Sequence, residues 1–242
     1  MAKRLSVEVW SDIACPWCYV GKRRFEAALA RFPHRDSVEL TWRSFELDPA
    51  APPQRDPSQS YASRLAKKYG SSVDQAEQRL RHMTEVAAGE GLKFAFERVR
   101  SGNTFNAHRL LHLARARGKQ PQLKERLLHG YFSDGEAIGD PDSLLRMGAE
   151  VGLDVDEARA VLSTDAYAAE VRADEREAHQ LGVDGVPFFK LGDRYGVPGA
   201  QPAELLAQAL TRAWDELPEM AASDVAVSNG DGPVCGPDGC TP

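Results

Sequence analysis

Cys15 and Cys18, separated by Pro16 and Trp17, are the residues of this chain best placed to do chemistry. A thiolate attacks a disulfide sulfur through a mixed-disulfide intermediate, and a second thiol close by in sequence can resolve that intermediate internally. The pair follows Leu5-Ser6-Val7-Glu8-Val9-Trp10, which alternates apolar and polar residues and is rich in β-branched and aromatic types, as strands are. It precedes a stretch from Tyr19 to Arg31 with apolar residues at Val20, Phe25, Ala28 and Leu29, a helical recurrence. The thiols therefore fall at a strand-to-helix junction. Free backbone N–H groups and the positive end of the helix dipole favour an anionic sulfur there. The competing use of these thiols is half of a zinc site completed by Cys235 and Cys240. Zinc knuckles hold their cysteines in tight, glycine-containing turns, whereas Cys18 runs on into Tyr19-Val20-Gly21 and continuing helix. The second pair, moreover, stands at the far end of the chain. Redox chemistry without a metal is the reading these residues favour.

The elements needed to position the thiols are legible around them. Residues 37 to 47 alternate a second time, with Val38, Leu40, Trp42 and Phe45 as expected buried positions. Strand, helix and strand make a βαβ unit whose strands should run parallel. Asp48-Pro49-Ala50-Ala51-Pro52-Pro53 is incompatible with a helix and marks a boundary. From about Ser58 to His179 helical patterns dominate, broken at glycine-containing stops, with Ser72 and Gln75 as a capping box. Strands return at Val186 to Leu191 and Arg194 to Val197, joined by Gly192-Asp193 as a two-residue turn. Pro202 opens a last helix with Leu205, Leu206, Ala209, Leu210 and Trp214 on its apolar face, and Pro218 stops it. The expected architecture is α/β: a thioredoxin fold from residues 1–53 and 180–217, with a large α-helical insertion, 54–179. That insertion is expected to be a separable lobe over the thiol face, and residues 218–242 form a C-terminal extension with a Cys-x4-Cys motif.

Gly185-Val186-Pro187-Phe188-Phe189 supplies the second piece of chemistry. A proline opening a strand has no N–H to give the ladder. In thioredoxin-like proteins the equivalent proline is cis and packs against the Cys-x-x-Cys. Such a loop leaves the Val186 backbone free to pair with an extended substrate peptide. By strand alternation Phe188 or Phe189 belongs to the core, while Trp17 and Tyr195 join the apolar surface near the thiols.

Three stretches together carry a resemblance: Ser11-Asp12-Ile13-Ala14-Cys15-Pro16-Trp17-Cys18-Tyr19-Val20-Gly21, Asn103-Thr104-Phe105-Asn106-Ala107-His108-Arg109-Leu110, and Gly182-Val183-Asp184-Gly185-Val186-Pro187-Phe188-Phe189. In this order they resemble the DsbA family of thioredoxin-fold oxidoreductases, and within it the FrnE-like branch of protein-disulfide oxidoreductases and isomerases. The resemblance covers about residues 5 to 217. It implies a thioredoxin fold with an inserted helical domain and no bound cofactor. Cys15 would be the attacking thiol, Cys18 the resolving thiol and Pro187 the cis-proline. Asn103 and His108 would line the cleft, with Trp17, Val186 and His108 forming a substrate-binding set. The implied partners are disulfide-containing or unfolded proteins, with a small thiol or a thioredoxin-type protein as electron partner.

Other residues admit blander uses. In Cys235-Gly236-Pro237-Asp238-Gly239-Cys240 the intervening turn can bring two sulfurs together. It serves either as an auxiliary dithiol tethered to Cys15 and Cys18 or as a local staple. His108 and His112, one turn apart, lack a third metal ligand and are expected to be helix histidines. Asp12 is expected to cap the active-site loop, and Arg109, Arg115 and Arg117 to form a solvated helix face. A net charge of −6 argues against a nucleic-acid surface, and no stretch approaches the length of a membrane span. Met-Ala-Lys-Arg-Leu runs straight into the alternating pattern with Glu8 and Asp12, so no export signal is read and a cytoplasmic location is expected. Two alternatives stand beside the oxidoreductase. One is a glutathione-dependent isomerase or transferase of the kappa-like branch, whose members carry Ser where this chain has Cys15. The other is a holdase chaperone switched by its cysteines.

Overall fold

A computed structural model describes residues 3–56 and 58–217, together with the backbone of residues 235–236 and 239–240. The first alternating run forms β1 (Leu5–Ser11), and Pro16 opens α1 (Pro16–Ala30) directly after the Cys15 N-cap. Proline is suited to that first helical position because its missing N–H would have no intrahelical partner anyway. The second run forms β2 (Val38–Ser44), parallel to β1, with Leu5 opposite Val38 and Ser11 opposite Ser44.

The chain returns to the sheet in β3 (Phe188–Leu191) and β4 (Tyr195–Pro198), giving the order β2-β1-β3-β4 with β3 antiparallel to β1. The β3–β4 connection is a three-residue loop, Gly192-Asp193-Arg194, rather than the expected two-residue turn, because Leu191 pairs with Tyr195. Gly192 takes φ +58 there, a conformation that favours glycine. The final helix, α9 (Ala203–Asp215), packs beside α1.

Alternation decides which residues are buried. Leu5, Val7 and Val9 point to one face and meet Phe25 of α1, Phe189 of β3, and Leu206 and Leu210 of α9. Leu205, expected on the apolar face of α9, is exposed. On the opposite face Trp10 packs with Phe45, Ala178 and Val183.

Between β2 and β3 lie α2 (Tyr61–Tyr69), α3 (Val73–Gly89), α4 (Phe105–Ala116), α5 (Gln120–His129), α6 (Pro141–Glu150), α7 (Val155–Ser163) and α8 (Ala168–Gln180). Ser72 and Gln75 form a reciprocal capping box at the start of α3. A π-helical turn, Gly130–Asp134, follows α5. This region is not a separable lobe. Its core is continuous with the active-site segment, since Ile13, Tyr19 and Val20 pack into the same cluster as Leu110, Leu127 and Phe132. Polar groups knit the junction as well. The Gln120 side chain accepts from Trp42 N–H (3.0 Å) and donates to Trp42 O (2.9 Å), standing in for a neighbouring strand on the outer edge of β2. Asp174 of α8 accepts from Ser44 N–H and from Arg43, both at 2.8 Å, while its carbonyl receives Trp10 Nε1–H at 2.8 Å. Among the described residues no helix is long and apolar enough to cross a membrane.

Candidate active site

β1 ends at Ser11, and four residues later Cys15 caps α1 with extended φ and ψ and no side-chain cap bond of its own. The Cys18 N–H donates to the Cys15 carbonyl (3.1 Å), closing the first turn over the pair. The two thiols have different surroundings. Cys15 is 5% exposed and lines a cleft, whereas Cys18 is sealed at 0%. Burial pushes the Cys18 thiol well above its ordinary range, and its interaction with Cys15 adds to this. The positive charge of Lys124 works in the opposite direction.

Across from α1, the Cys15 thiol reaches the Val186 carbonyl at 3.5 Å, and the Val186–Pro187 bond is cis. Gly199 N–H holds the Pro187 carbonyl from behind at 2.8 Å. The close approach of this loop depends on Gly21. A Cβ at that position would stand 2.8 Å from Pro187 Cγ.

Beneath the thiols lies a buried polar floor. Asp12 accepts from Leu47 N–H (2.8 Å) and Ala14 N–H (3.3 Å), so it fastens the active-site turn to the segment after β2. Burial works to raise its carboxyl, yet bonds from His108 and Leu47 hold it below the usual carboxylate range. Lys124 of α5 is fully buried and donates to Ser11 O at 3.3 Å, with its ammonium 5.6 Å from the Trp42 ring centroid. Burial pulls it down to about 8, against the opposing influence of Cys18, Asp12 and Cys15.

The cleft beside Cys15 holds about 1210 Å³ and runs between the Trp17 turn, the 47–59 segment and α2 with α3. Tyr61, Met83 and Tyr131 form its apolar floor, and Tyr131 arrives there from the π-helical turn, bonded to Ser101 Oγ at 3.1 Å. The 47–59 wall is pinned by a close backbone approach. A Cβ on Gly139 would fall 1.7 Å from Pro53 O.

The expected site residues therefore divide. Cys15 meets the Val186 carbonyl of the cis-proline loop, Cys18 interacts with Cys15 from the interior side, and Trp17, 41% exposed, stands at the mouth of the cleft. His108 does not belong to a substrate-binding set. It is fully buried on α4, with Nε2 3.4 Å from Asp12 Oδ1, and does not line the cleft. Asn103 acts as a stitch: it accepts from Phe105 N–H (2.8 Å) and donates to Glu46 and to Pro49 O. His112 contacts Ser44 Oγ and Asp174, each at 3.1 Å. Arg109 is not on a solvated face. It is buried and donates to the carbonyls of Val161, Thr164 and Ala166, whereas Arg115 is exposed and Arg117 forms a surface pair with Glu157. Phe189 is core, while Phe188 is half-buried against Trp10.

For the auxiliary pair, the backbones of Cys235 and Cys240 face each other in a two-residue antiparallel ladder, and their side chains lie outside the described residues. Among the described residues no group of three or more His, Cys, Asp or Glu side chains is placed to hold a metal. Lys124, Asp174 and Gln120 had no mark in the sequence. Each acts on a partner some eighty to a hundred and thirty positions away or more, beyond any local pattern.

The model of the DSBA-like thioredoxin domain matches residues 6–211, a span that takes in both thiols and the proline loop. The chain belongs to this family. DsbA-like proteins of the thioredoxin fold are disulfide oxidoreductases, and the chain is an enzyme of that class. A probable DsbA oxidoreductase from Streptomyces coelicolor is 49% identical to it, covers 99% of each chain and superposes with a TM-score of 0.83. The uncharacterised protein YwbO of Bacillus subtilis is 28% identical over 215 residues, which are 85% of this chain and 95% of that protein. The cytosolic disulfide reductase DsbM from Pseudomonas aeruginosa shares the fold at 17% identity and a TM-score of 0.58, covering 86% of this chain and 98% of its own.

Proposed function

We propose that this DsbA-like enzyme exchanges disulfides in protein substrates through Cys15 and Cys18, as a reductase or isomerase of the FrnE-like branch. The observation that carries the proposal is the asymmetry of the pair: Cys15 opens on the cleft, and Cys18 lies sealed behind it. The Cys15 thiolate attacks one sulfur of a substrate disulfide. A Cys15–substrate bond forms, and the other substrate sulfur leaves as a thiolate that takes a proton from solvent. Cys18 then loses its proton and attacks Cys15, forming the internal disulfide and releasing the second substrate sulfur. Two electrons pass to the substrate, and a small thiol or a thioredoxin-type protein restores the dithiol. The Val186 carbonyl and N–H are the backbone groups against which an extended substrate segment would align. A cytoplasmic setting favours reduction or reshuffling over net oxidation. Cys235 and Cys240 are proposed as an auxiliary dithiol that exchanges with the first pair.

The test is trapping. With a disulfide-containing protein as substrate, Cys18→Ser is expected to accumulate a covalent adduct at Cys15 visible by mass spectrometry, and Cys15→Ser to abolish turnover. Turnover that persists in Cys15→Ser would overturn the assignment of the attacking thiol.

A further inference from the structure

The cleft carries a charge that the rest of the chain does not. The whole protein has a net charge of −6, yet Arg55, Arg64, Lys67, Lys68 and Arg79 line this one surface. Only two carboxylates, Asp48 and Asp56, stand among them, and Asp48 is engaged by Arg55. Arg64 is held in place, donating to Ser101 Oγ at 3.0 Å with its guanidinium 5.6 Å from the Tyr61 ring centroid. Lys68 lies 5.8 Å from the Tyr69 ring centroid and Arg79 reaches Ser71 Oγ at 3.4 Å, and among the described residues neither is paired with a carboxylate. Lys67 and Lys68 sit in the last turn of α2, where cations complement the carbonyl end of a helix. Arg79 lies in the body of α3 and has no such use.

We infer that the cleft receives an acidic polypeptide segment flanking the substrate disulfide. This rests on the proposed exchange at Cys15 and adds the chemical class of what is exchanged. Two features favour a polypeptide over a small anionic disulfide. The cleft, at about 1210 Å³, exceeds the roughly 300–1,000 Å³ usual for small-molecule sites. It also presents exposed apolar side chains, Trp17, Leu47 and Tyr69, which a tripeptide-sized ligand would leave mostly bare. A neutral segment would gain nothing from the lysines and Arg79. A basic segment would be repelled where an acidic one is steered, and clefts lined by one sign of charge raise association rates by about 10- to 1,000-fold at low salt.

The experiment compares two peptides with the same internal disulfide, one flanked by glutamates and one by lysines. Each is reduced by the full-length dithiol protein, and each rate is divided by that with free dithiothreitol to remove intrinsic reactivity. The glutamate peptide is expected to react at least about tenfold faster at low ionic strength, with the ratio shrinking towards one as salt screens the cleft. In the triple variant Lys67→Glu, Lys68→Glu, Arg79→Glu the ratio is expected to invert. It is an internal comparison within one protein sample, so partial loss of folded protein leaves it intact. Equal rates at low salt, or a ratio untouched by the triple variant, would overturn the inference. Oxidised glutathione reacting as fast as the glutamate peptide, with the same charge dependence, would overturn the polypeptide assignment. Failure of the exchange chemistry itself would look different, because neither peptide nor bis(2-hydroxyethyl) disulfide would then be reduced.

Discussion

Replacing Lys124 by methionine should make this enzyme more stable at neutral pH and abolish a rise in its stability on the alkaline side. The ammonium is fully buried, its hydrogen bond goes to the carbonyl of Ser11, and its environment holds it at about 8 against an ordinary value of 10.5. In the folded state the group therefore gives up its proton more readily than in the unfolded chain. Between pH 8 and 10.5 the unfolded chain binds more protons, so stability contributed by this site increases with pH through that window and is lowest below it. The gap corresponds to a burial penalty of ~3 kcal/mol at pH 7. Methionine has a similar length and no charge. Removing the penalty while losing one hydrogen bond of about 1 kcal/mol should leave the variant ahead by roughly 2 kcal/mol at pH 7. Between pH 7 and pH 10 that advantage should fall by about 2.5 kcal/mol as the wild-type lysine discharges. Urea unfolding of both proteins under reducing conditions, at half-unit intervals of pH, measures the difference directly. The buried Cys18 thiol, held high in the folded state, lowers stability at alkaline pH in both proteins and is therefore largely removed by the subtraction. A variant less stable than wild type at pH 7, with a difference that does not move with pH, would refute the reasoning.

Two further substitutions probe how the site is positioned. Gly21→Ala should drive a methyl group against Pro187 Cγ, where the available separation is 2.8 Å. The expected result is ~1–3 kcal/mol of destabilisation, together with slower exchange at Cys15 as the Val186 carbonyl is displaced. Thermal unfolding and a disulfide-reduction assay read the two effects, and wild-type values in both would mean that the loop is seated by something else. Asp174→Ala removes the acceptor for Ser44 N–H and one of the carboxylates around Arg43, which keeps its pair with Glu8. Leaving the buried Ser44 N–H without its acceptor predicts roughly 1–3 kcal/mol of destabilisation in denaturant unfolding, and no measurable change would count against the role of Asp174 in tying α8 to β2.

How far the sequence revealed this molecule follows from the range of each signal. Period-two alternation located β1 and β2, and glycine and proline punctuation located the helical region, because these patterns are set by immediate neighbours. The thiols and Pro187 were legible as well, each sitting in a short motif at the end of a strand or the start of a helix. What local pattern could not express was depth. His108 and Arg109 have the composition of a polar helix surface, yet both are buried, one against Asp12 and the other against the carbonyls that end α7. The Gly192-Asp193 pair has the composition of a complete turn, but the loop takes a third residue, since register is decided by pairing with β1 as well as by turn chemistry. The Asp48–Pro53 linker has the composition of a domain border, which makes the helical region look separable in sequence. The shared core reached by Ile13, Tyr19 and Val20 has no sequence signature.

The pairing of Gln120 with Trp42 has a consequence for how molecules of this kind meet one another. An outermost strand with its backbone groups free invites a foreign strand to join, whether from a client or from another copy of the same enzyme. Here one amide side chain satisfies both groups of Trp42 midway along that border. Two positions further on, Asp174 takes the Ser44 N–H in the same way, so the end of β2 nearest the thiols is closed to a foreign strand by side chains rather than by another strand.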